Sequence, residues 1–256
     1  MSAYLREMFG LDGRVALVTG GSTGIGFAMA EALGRAGARV AIVARQPEGL
    51  AAAVQQLEAA GVTARAVSAD LADRSQVARA ADEAVAAVGE PDILVCAAGV
   101  NPRPHMDELS ADDWDLCMRV NVDAAFLLGQ RFGPGMAERG WGRVINVGSQ
   151  QAHRAFGNSG AYGVSKAAIT GLTRSQAEAW SGRGVCCHTV VPGFVLTRLG
   201  HVHVASGRAD ALAARTMVGR NGLPQDFAGT TVFLASAASS YLTGQEIYVD
   251  GGFSVT

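Results

Sequence analysis

Seven short apolar runs, separated by stretches of helical periodicity, constrain this chain more than any other feature. The runs are VALV at residues 15–18, then RVAIVA, TARAVSA, DILVCAAG, RVINVGS, VCCHTVVP and EIYVD. After the first, Ala28, Met29, Ala32, Leu33 and Ala36 recur at helical spacing until Gly37 ends the run. Further helices are predicted near Glu48 to Ala60, Arg74 to Val88, Ala111 to Glu138, Ala161 to Ser181 and Gln225 to Ala235. Near-continuous apolar strands are buried on both faces, and strands alternating with helices join through right-handed crossovers. The prediction is an α/β fold, a doubly wound parallel sheet of about seven strands with helices on both faces. Ligands of such a sheet bind at the carboxyl ends of its strands. The 256 residues show no linker and no change of composition between halves, which predicts one domain over 1–256.

The stretch TGGSTGIG, Thr19 to Gly26, sits at one such strand end and opens the following helix. Glycine costs conformational entropy and is useful where the backbone turns tightly or must be approached closely. Here unpaired N–H groups and the positive end of a helix dipole converge where absent side chains leave room for a phosphate. Gly20, Gly24 and Gly26 form G-x-x-x-G-x-G rather than G-x-G-x-x-G, and no Lys-Ser or Lys-Thr follows as in a nucleotide-hydrolysing loop. Taken alone, these glycines also read as a flexible turn.

Charge narrows the partners. The formal net charge is −2 and the arginines are scattered, so no basic footprint for nucleic acid and no cationic amphipathic stretch for a membrane is present. The N-terminal MSAYLREMFG lacks an apolar signal core, and no apolar run is long enough to cross a bilayer, which predicts a cytoplasmic protein. Cys96, Cys117, Cys186 and Cys187 have no metal-type spacing, and all but Cys117 lie in strand-like runs as reduced core thiols. A small-molecule partner is the expectation.

In SGAYGVSK, Tyr162 and Lys166 lie one helical turn apart on one face. Alone, the pair reads equally as a surface tyrosine beside a solvated lysine. Ser149 closes a predicted strand, Asn121 lies within the long preceding helix, and Pro192-Gly193 follows the next strand, all toward the glycine-loop side. Together TGGSTGIG, Asn121, Ser149, Tyr162-x-x-x-Lys166 and Pro192-Gly193 resemble the short-chain dehydrogenase/reductase family in order and spacing, over almost the whole chain. The resemblance implies a Rossmann-type sheet and hydride exchange between a nicotinamide dinucleotide and a secondary alcohol or ketone. One departure stands out. Where the family often has Asn-Asn-Ala-Gly, this chain has Cys96-Ala97-Ala98-Gly99, so the first asparagine's hydrogen bond to the central sheet is replaced or lost, with an effect on local stability.

The resemblance also implies roles. A free phenol, with a pKa of about 10, holds its proton too firmly to act as a base near neutrality. The Lys166 ammonium and the positive ring of an oxidised nicotinamide would favour the phenolate of Tyr162, which exchanges a proton with the substrate oxygen. Ser149 would hydrogen-bond that same oxygen, Lys166 would also bind the nicotinamide ribose, and Asn121 would hold a relay water. For Asn121 a polar residue at a helix kink is the other reading. The implied cofactor residues are Gly20, Ser22, Thr23, Gly24, Ile25, Gly26, Arg45, Asp70, Leu71, Ala98, Gly99, Tyr162, Lys166, Pro192, Gly193 and Thr197. Asp70 matches the position that meets the adenine amino group, and Thr197 the one that bonds the carboxamide. Ala44 stands where NAD-selective members carry aspartate, and Arg45 follows, available to a 2′-phosphate. This points to NADP, with NAD as the alternative and a solvated Arg45 as its correlate.

Substrate residues are predicted after the fourth strand at Asn101, Arg103 and His105, after the fifth at Gln150, Gln151, His153 and Arg154, and in the segment near 194–220. Asn101, Ser149, Gln151, His153 and Tyr162 are the chosen set. Such donors and acceptors suit a sugar, polyol or hydroxy acid, since a greasy chain would leave them unpaired. His201 and His203 lack a third ligand and read as a loop feature, not a metal site. Among Arg103, Arg154 and Arg208, at least one is expected to be a surface residue. The resulting expectation is an NAD(P)-dependent oxidoreductase of a polar alcohol or carbonyl compound. A 3-oxoacyl thioester reductase is the alternative enzyme, and a catalytically silent dinucleotide sensor the alternative of another class. The helices near 111–138 and 161–181 carry apolar residues on more than one face. The resemblance implies a homotetramer in which they pair across a twofold axis, with the closing strand and tail at a second interface.

Overall fold

A computed structural model describes residues 2–197 and 207–256, and of Arg208 the backbone alone. His201, His203 and the Arg208 side chain lie outside the described residues. Strands β1 (Val15–Thr19), β2 (Arg39–Ala44), β3 (Ala64–Ser68), β4 (Ile93–Cys96), β5 (Gly142–Val147), β6 (Val185–Pro192) and β7 (Glu246–Val249) form one sheet in the order β3-β2-β1-β4-β5-β6-β7. Every pair is parallel. Helices α1 (Ala3–Phe9), α2 (Gly24–Arg35), α3 (Pro47–Ala59), α4 (Arg74–Val88), α5 (Ala111–Met118), α6 (Ala124–Glu138), α7 (Gly160–Trp180), α8 (Arg208–Ala213) and α9 (Ala228–Ala235) complete the described elements.

Alternate strand residues face opposite sides of a sheet, and here both sides are buried. Leu17, Val43, Leu94 and Val144 pack with Val77 and Ala84 of α4, Leu128 and Phe132 of α6 and Ile169 of α7. Val18, Ile42, Val95 and Ile145 pack on the other side with Met29 and Leu33 of α2, Leu50 and Leu57 of α3 and Leu234 of α9. The chain winds outward from β1 to β3, then crosses back to lay β4 beside β1 and winds outward again. The reversal leaves a crevice beyond the carboxyl ends of β1 and β4, where a doubly wound sheet receives its ligand.

Two helix predictions are corrected. The helix expected unbroken from Ala111 to Glu138 is interrupted by a π-helical turn at Arg119–Asp123. Asn121 sits inside that turn, and its carboxamide bonds both backbone groups of Val100, accepting from the N–H at 2.8 Å and donating to the carbonyl at 3.0 Å. A bulge of this kind re-aims a side chain without ending the helix. The last helix starts later than Gln225, because a 3-10 turn over Pro224–Phe227 precedes α9. Helix α1, which buries none of its residues, had no signal in the apolar pattern.

Candidate active site

The glycine loop owes its shape to close approaches. Gly20 has φ +66°, and a Cβ there would stand 2.8 Å from the Ala98 nitrogen; a Cβ on Gly26 would stand 2.4 Å from the Gly20 carbonyl oxygen. Any side chain at either position would push the loop off the crevice. The α2 N-cap, Thr23, makes no side-chain capping bond, so the first amides of the helix remain directed at the loop. This is a cradle in which a phosphate group fits.

Beside it, Thr19 fastens the turn after β4, at the Cys96-Ala97 stretch where the family often has asparagines. Its hydroxyl oxygen accepts from Ala97 N at 3.1 Å and Ala98 N at 3.2 Å, and the hydroxyl donates to Val95 O at 3.4 Å. The turn after β4 is thereby tied to β1.

Ser149 follows β5 and caps a short 3-10 turn, Gln150–Ala152, its Oγ accepting from Gln151 N at 3.2 Å. Tyr162 and Lys166 lie on the first two turns of α7, both buried. The Lys166 ammonium donates to Val147 O at 2.7 Å and stands 5.6 Å from the Tyr162 ring centroid. Asn121 Nδ2 also donates to Ser165 Oγ at 2.9 Å and approaches Cys117 Sγ at 3.3 Å. Ser165 in turn donates to Tyr162 O at 2.8 Å, so Asn121 is fastened to the helix that carries Tyr162 and Lys166.

Burial dominates the electrostatics. It raises the Tyr162 phenol, while the Ser149 hydrogen bond and the Arg103 charge pull it down. It lowers Lys166 to about 8, against the opposing influence of Cys117 and Cys96. Proton exchange at Tyr162 therefore depends on the neighbours that counter desolvation.

A cavity of about 540 Å³ runs along the carboxyl ends of β1, β4, β5 and β6. Gly20, Thr23, Gly24, Ile25, Gly26, Ala98, Gly99, Asn101, Ser149, Gln151, Tyr162, Lys166, Pro192, Gly193 and Thr197 line it, as the sequence reading placed them. Asn121 stands behind the wall, buried. Ser22, Arg45, Asp70 and Leu71 lie outside the cavity at the ends of β1, β2 and β3, along the same edge of the sheet. His153 is the misplaced member of the substrate set: it is exposed and turned from the cavity, its Nε2 2.7 Å from a Glu246 carboxylate oxygen that holds it. Arg154 is also committed elsewhere, donating to the carbonyls of Phe253 and Ser254. Arg103 does face the cavity, half-buried, its guanidinium 3.0 Å from the Asn101 carboxamide, which accepts from it once the amide is turned. Phe156 and Phe253 were not foreseen in the wall. Nothing near Phe253 in the sequence signals this, because only folding brings the tail back over β5. Among the described lining residues the charged side chains are Arg103, Lys166 and Arg215, with no carboxylate.

Comparison with known proteins gives this geometry its kin. A family model described as Enoyl-(Acyl carrier protein) reductase matches residues 20–254. The D-threitol dehydrogenase of Mycolicibacterium smegmatis is 40% identical over 247 residues, covering 96% of this chain and 95% of the relative. The gluconate 5-dehydrogenase of Gluconobacter oxydans is 36% identical over 251 residues, covering 98% of each. Among solved structures, a gluconate 5-dehydrogenase from Burkholderia cenocepacia in complex with NADP and tartrate superposes with a TM-score of 0.92 at 37% identity, over 98% of this chain and 99% of that one. With the seven-stranded sheet, the glycine cradle and the Ser149, Tyr162 and Lys166 grouping at one crevice, the chain belongs to the short-chain dehydrogenase/reductase family.

Proposed function

We propose that the protein is an NADP-dependent oxidoreductase that interconverts a secondary alcohol and a ketone on a polyol or sugar acid. The observation that carries this reading is that one cavity joins the glycine cradle to Ser149, Tyr162 and Lys166. The loop amides from Gly20 to Gly26 and the α2 N-terminus would hold the pyrophosphate, Lys166 the nicotinamide ribose, Thr197 the carboxamide and Arg45 the 2′-phosphate. When bound, the dinucleotide accepts or supplies the hydride, and its oxidised ring carries a positive charge. Tyr162 holds the proton exchanged with the substrate oxygen, and Ser149 donates a hydrogen bond to that oxygen and fixes its direction. Lys166 keeps a positive charge near the phenol, and Asn121 backs α7 through Ser165.

The substrate half of the reading rests on the wall. Asn101, Arg103 and Gln151 offer donors and acceptors, which a hydroxylated compound satisfies and a hydrocarbon chain would leave unpaired. The names of the relatives, a threitol dehydrogenase and gluconate 5-dehydrogenases, support the same class. The protein is further taken to act in the cytoplasm as a homotetramer. No described helix is long and apolar enough to cross a membrane, and exposed apolar side chains on α5, α6 and α7 await a partner.

The test is a panel of threitol, galactitol, D-gluconate and acetoacetyl thioesters, read by reduced-nicotinamide absorbance with NADP and NAD. A sugar-type substrate with NADP is expected. Tyr162→Phe should keep cofactor binding and lose about 10²- to 10⁴-fold in turnover, the range for positioned proton transfer. Turnover within a few-fold of wild type would remove Tyr162 from the reaction.

A further inference from the structure

We propose that Gln150 and Asp250 are positioning residues that hold the Ser149 hydroxyl toward Tyr162 by fastening the turn after β5 to the C-terminal tail. Gln150 directly follows Ser149 and is buried, only 6% exposed. Its Nε2 donates to Asp250 Oδ2 at 3.0 Å, across a hundred residues of chain. The same carboxylate accepts from Ser254 N at 2.8 Å on Oδ2 and from Gly252 N at 2.9 Å on Oδ1. Three donors thus converge on one side chain that, ionised, only accepts. At the far end of the turn Arg154 donates to the carbonyls of Phe253 and Ser254, so the tail grips the segment that begins at Ser149 from both ends.

The tail is itself held from two further directions. Phe253, buried in the cavity wall, lies under the Arg215 guanidinium at 4.3 Å, and Val218 N donates to Gly251 O at 3.2 Å. A Cβ on Gly193, at the end of β6, would stand 2.8 Å from Asp250 Cα, so the β6 turn and the tail pack backbone to backbone. The Ser149 backbone therefore cannot shift without moving Gln150, whose side chain is tied to a carboxylate fixed by two backbone amides, while the Ser149 Oγ is itself held by Gln151 N at 3.2 Å.

The inference rests on the proposed roles of Ser149 and Tyr162. The groups that face the Tyr162 phenol are Ser149, Arg103 after β4, Cys117 on α5 and Lys166 on its own helix. Gln150 also lines the cavity but hydrogen-bonds none of these groups, so the proposed route from Gln150 to the phenol runs through Ser149, and a direct effect on the bound substrate would show in KM without a titration shift. The Ser149 hydrogen bond favours the phenolate, and loosening it should make Tyr162 harder to ionise.

The experiment compares wild type with Gln150→Met, Gln150→Glu and the double variant Gln150→Glu/Asp250→Asn. Gln150→Met keeps the side-chain volume and the tail's own amide bonds, which protects the fold. Two readouts are used on NADP-loaded protein. One is the pH profile of kcat for the fastest-oxidised member of the panel above. The other is an ultraviolet difference titration of the tyrosines referenced to Tyr162→Phe. Each single variant should lose about tenfold in kcat with NADP affinity within about twofold of wild type, and both readouts should move to higher pH. The double variant restores a donor opposite the new carboxylate but sets that donor against Ser254 N, which shares Oδ2 with Gln150 in the wild type, so it should recover only part of both. Wild-type kcat and titration in Gln150→Met would overturn the inference, as would a loss of kcat with no titration shift and no recovery in the double variant. Ser149→Ala runs in parallel: turnover surviving it would overturn the site reading beneath, whereas its loss beside an unaffected Gln150→Met would overturn the positioning role alone.

Discussion

Arg45 ends β2 with an exposed side chain and no carboxylate paired to it among the described residues; only its backbone carbonyl is engaged, by Ser68 Oγ at 3.1 Å. An uncommitted guanidinium at the edge that receives the cofactor is what a 2′-phosphate requires. Hydrogen bonds to charged groups contribute about 1.5–3 kcal/mol each, so Arg45→Ala should weaken NADP about ten- to a hundredfold and leave NAD nearly unchanged. Ala44→Asp should do the reverse, giving the ribose hydroxyls an acceptor and repelling the phosphate. Titrating both dinucleotides against each protein checks this, and a wild-type preference for NAD would sink the assignment. At this scale Ser149, Tyr162 and Lys166 were singled out by the resemblance their order and spacing carry, and the structure gathers them at one cavity. His153 lies outside it; its distance from Ser149 along the chain says nothing about Glu246, which arrives from β7 and takes it.

Strand β6 shows what an element imposes on its residues. His188 pairs in register with Ile145 and is wholly buried, with no hydrogen-bond partner on either ring nitrogen. Burial, aided by the positive charge of Arg143, pulls its pKa from 6.5 down to about 4. A depressed histidine leaves the unfolded chain to bind the proton first. Stability is therefore full above about pH 6.5 and falls as the pH drops toward 4, by on the order of 3 kcal/mol from this one group. His188→Leu, which removes the titration, should flatten the loss of Tm between about pH 7.5 and pH 5. Parallel thermal melts measure it, and an equally steep loss in the variant would show that other groups drive it. The interrupted helix teaches the complementary lesson. Apolar spacing over 111–138 suits one helix, and the π turn exists because the Val100 backbone stands where the Asn121 carboxamide can bond it.

Among the apolar side chains the whole molecule leaves uncovered are two groups that bear on assembly. Trp114 of α5, Phe126 of α6 and Val164 of α7 make up the first group, and Tyr248 of β7 and Val255 of the tail the second. The tetramer proposed above would use these two groups as patches, since two isologous contacts on one chain close a tetramer. Light scattering should give a mass four times the 26.3 kDa chain. Phe126→Glu with Val164→Glu, which sets like charges into the first patch, should halve it and spare the second interface. A tetramer that survives both changes would place the contact elsewhere.

The amino-acid sequence by itself determined the seven strands, their parallel winding, the crevice and the residues that line its glycine cradle, because these follow from local periodicity and backbone freedom. Tertiary structure alone decided that Thr19 fastens the turn after β4, that Phe253 joins the cavity wall, and that Gln150 finds Asp250. Each of these joins residues far apart in the chain through a hydrogen bond or a packed surface. No spacing rule encodes such a contact, since it depends on where folding brings two strand ends together.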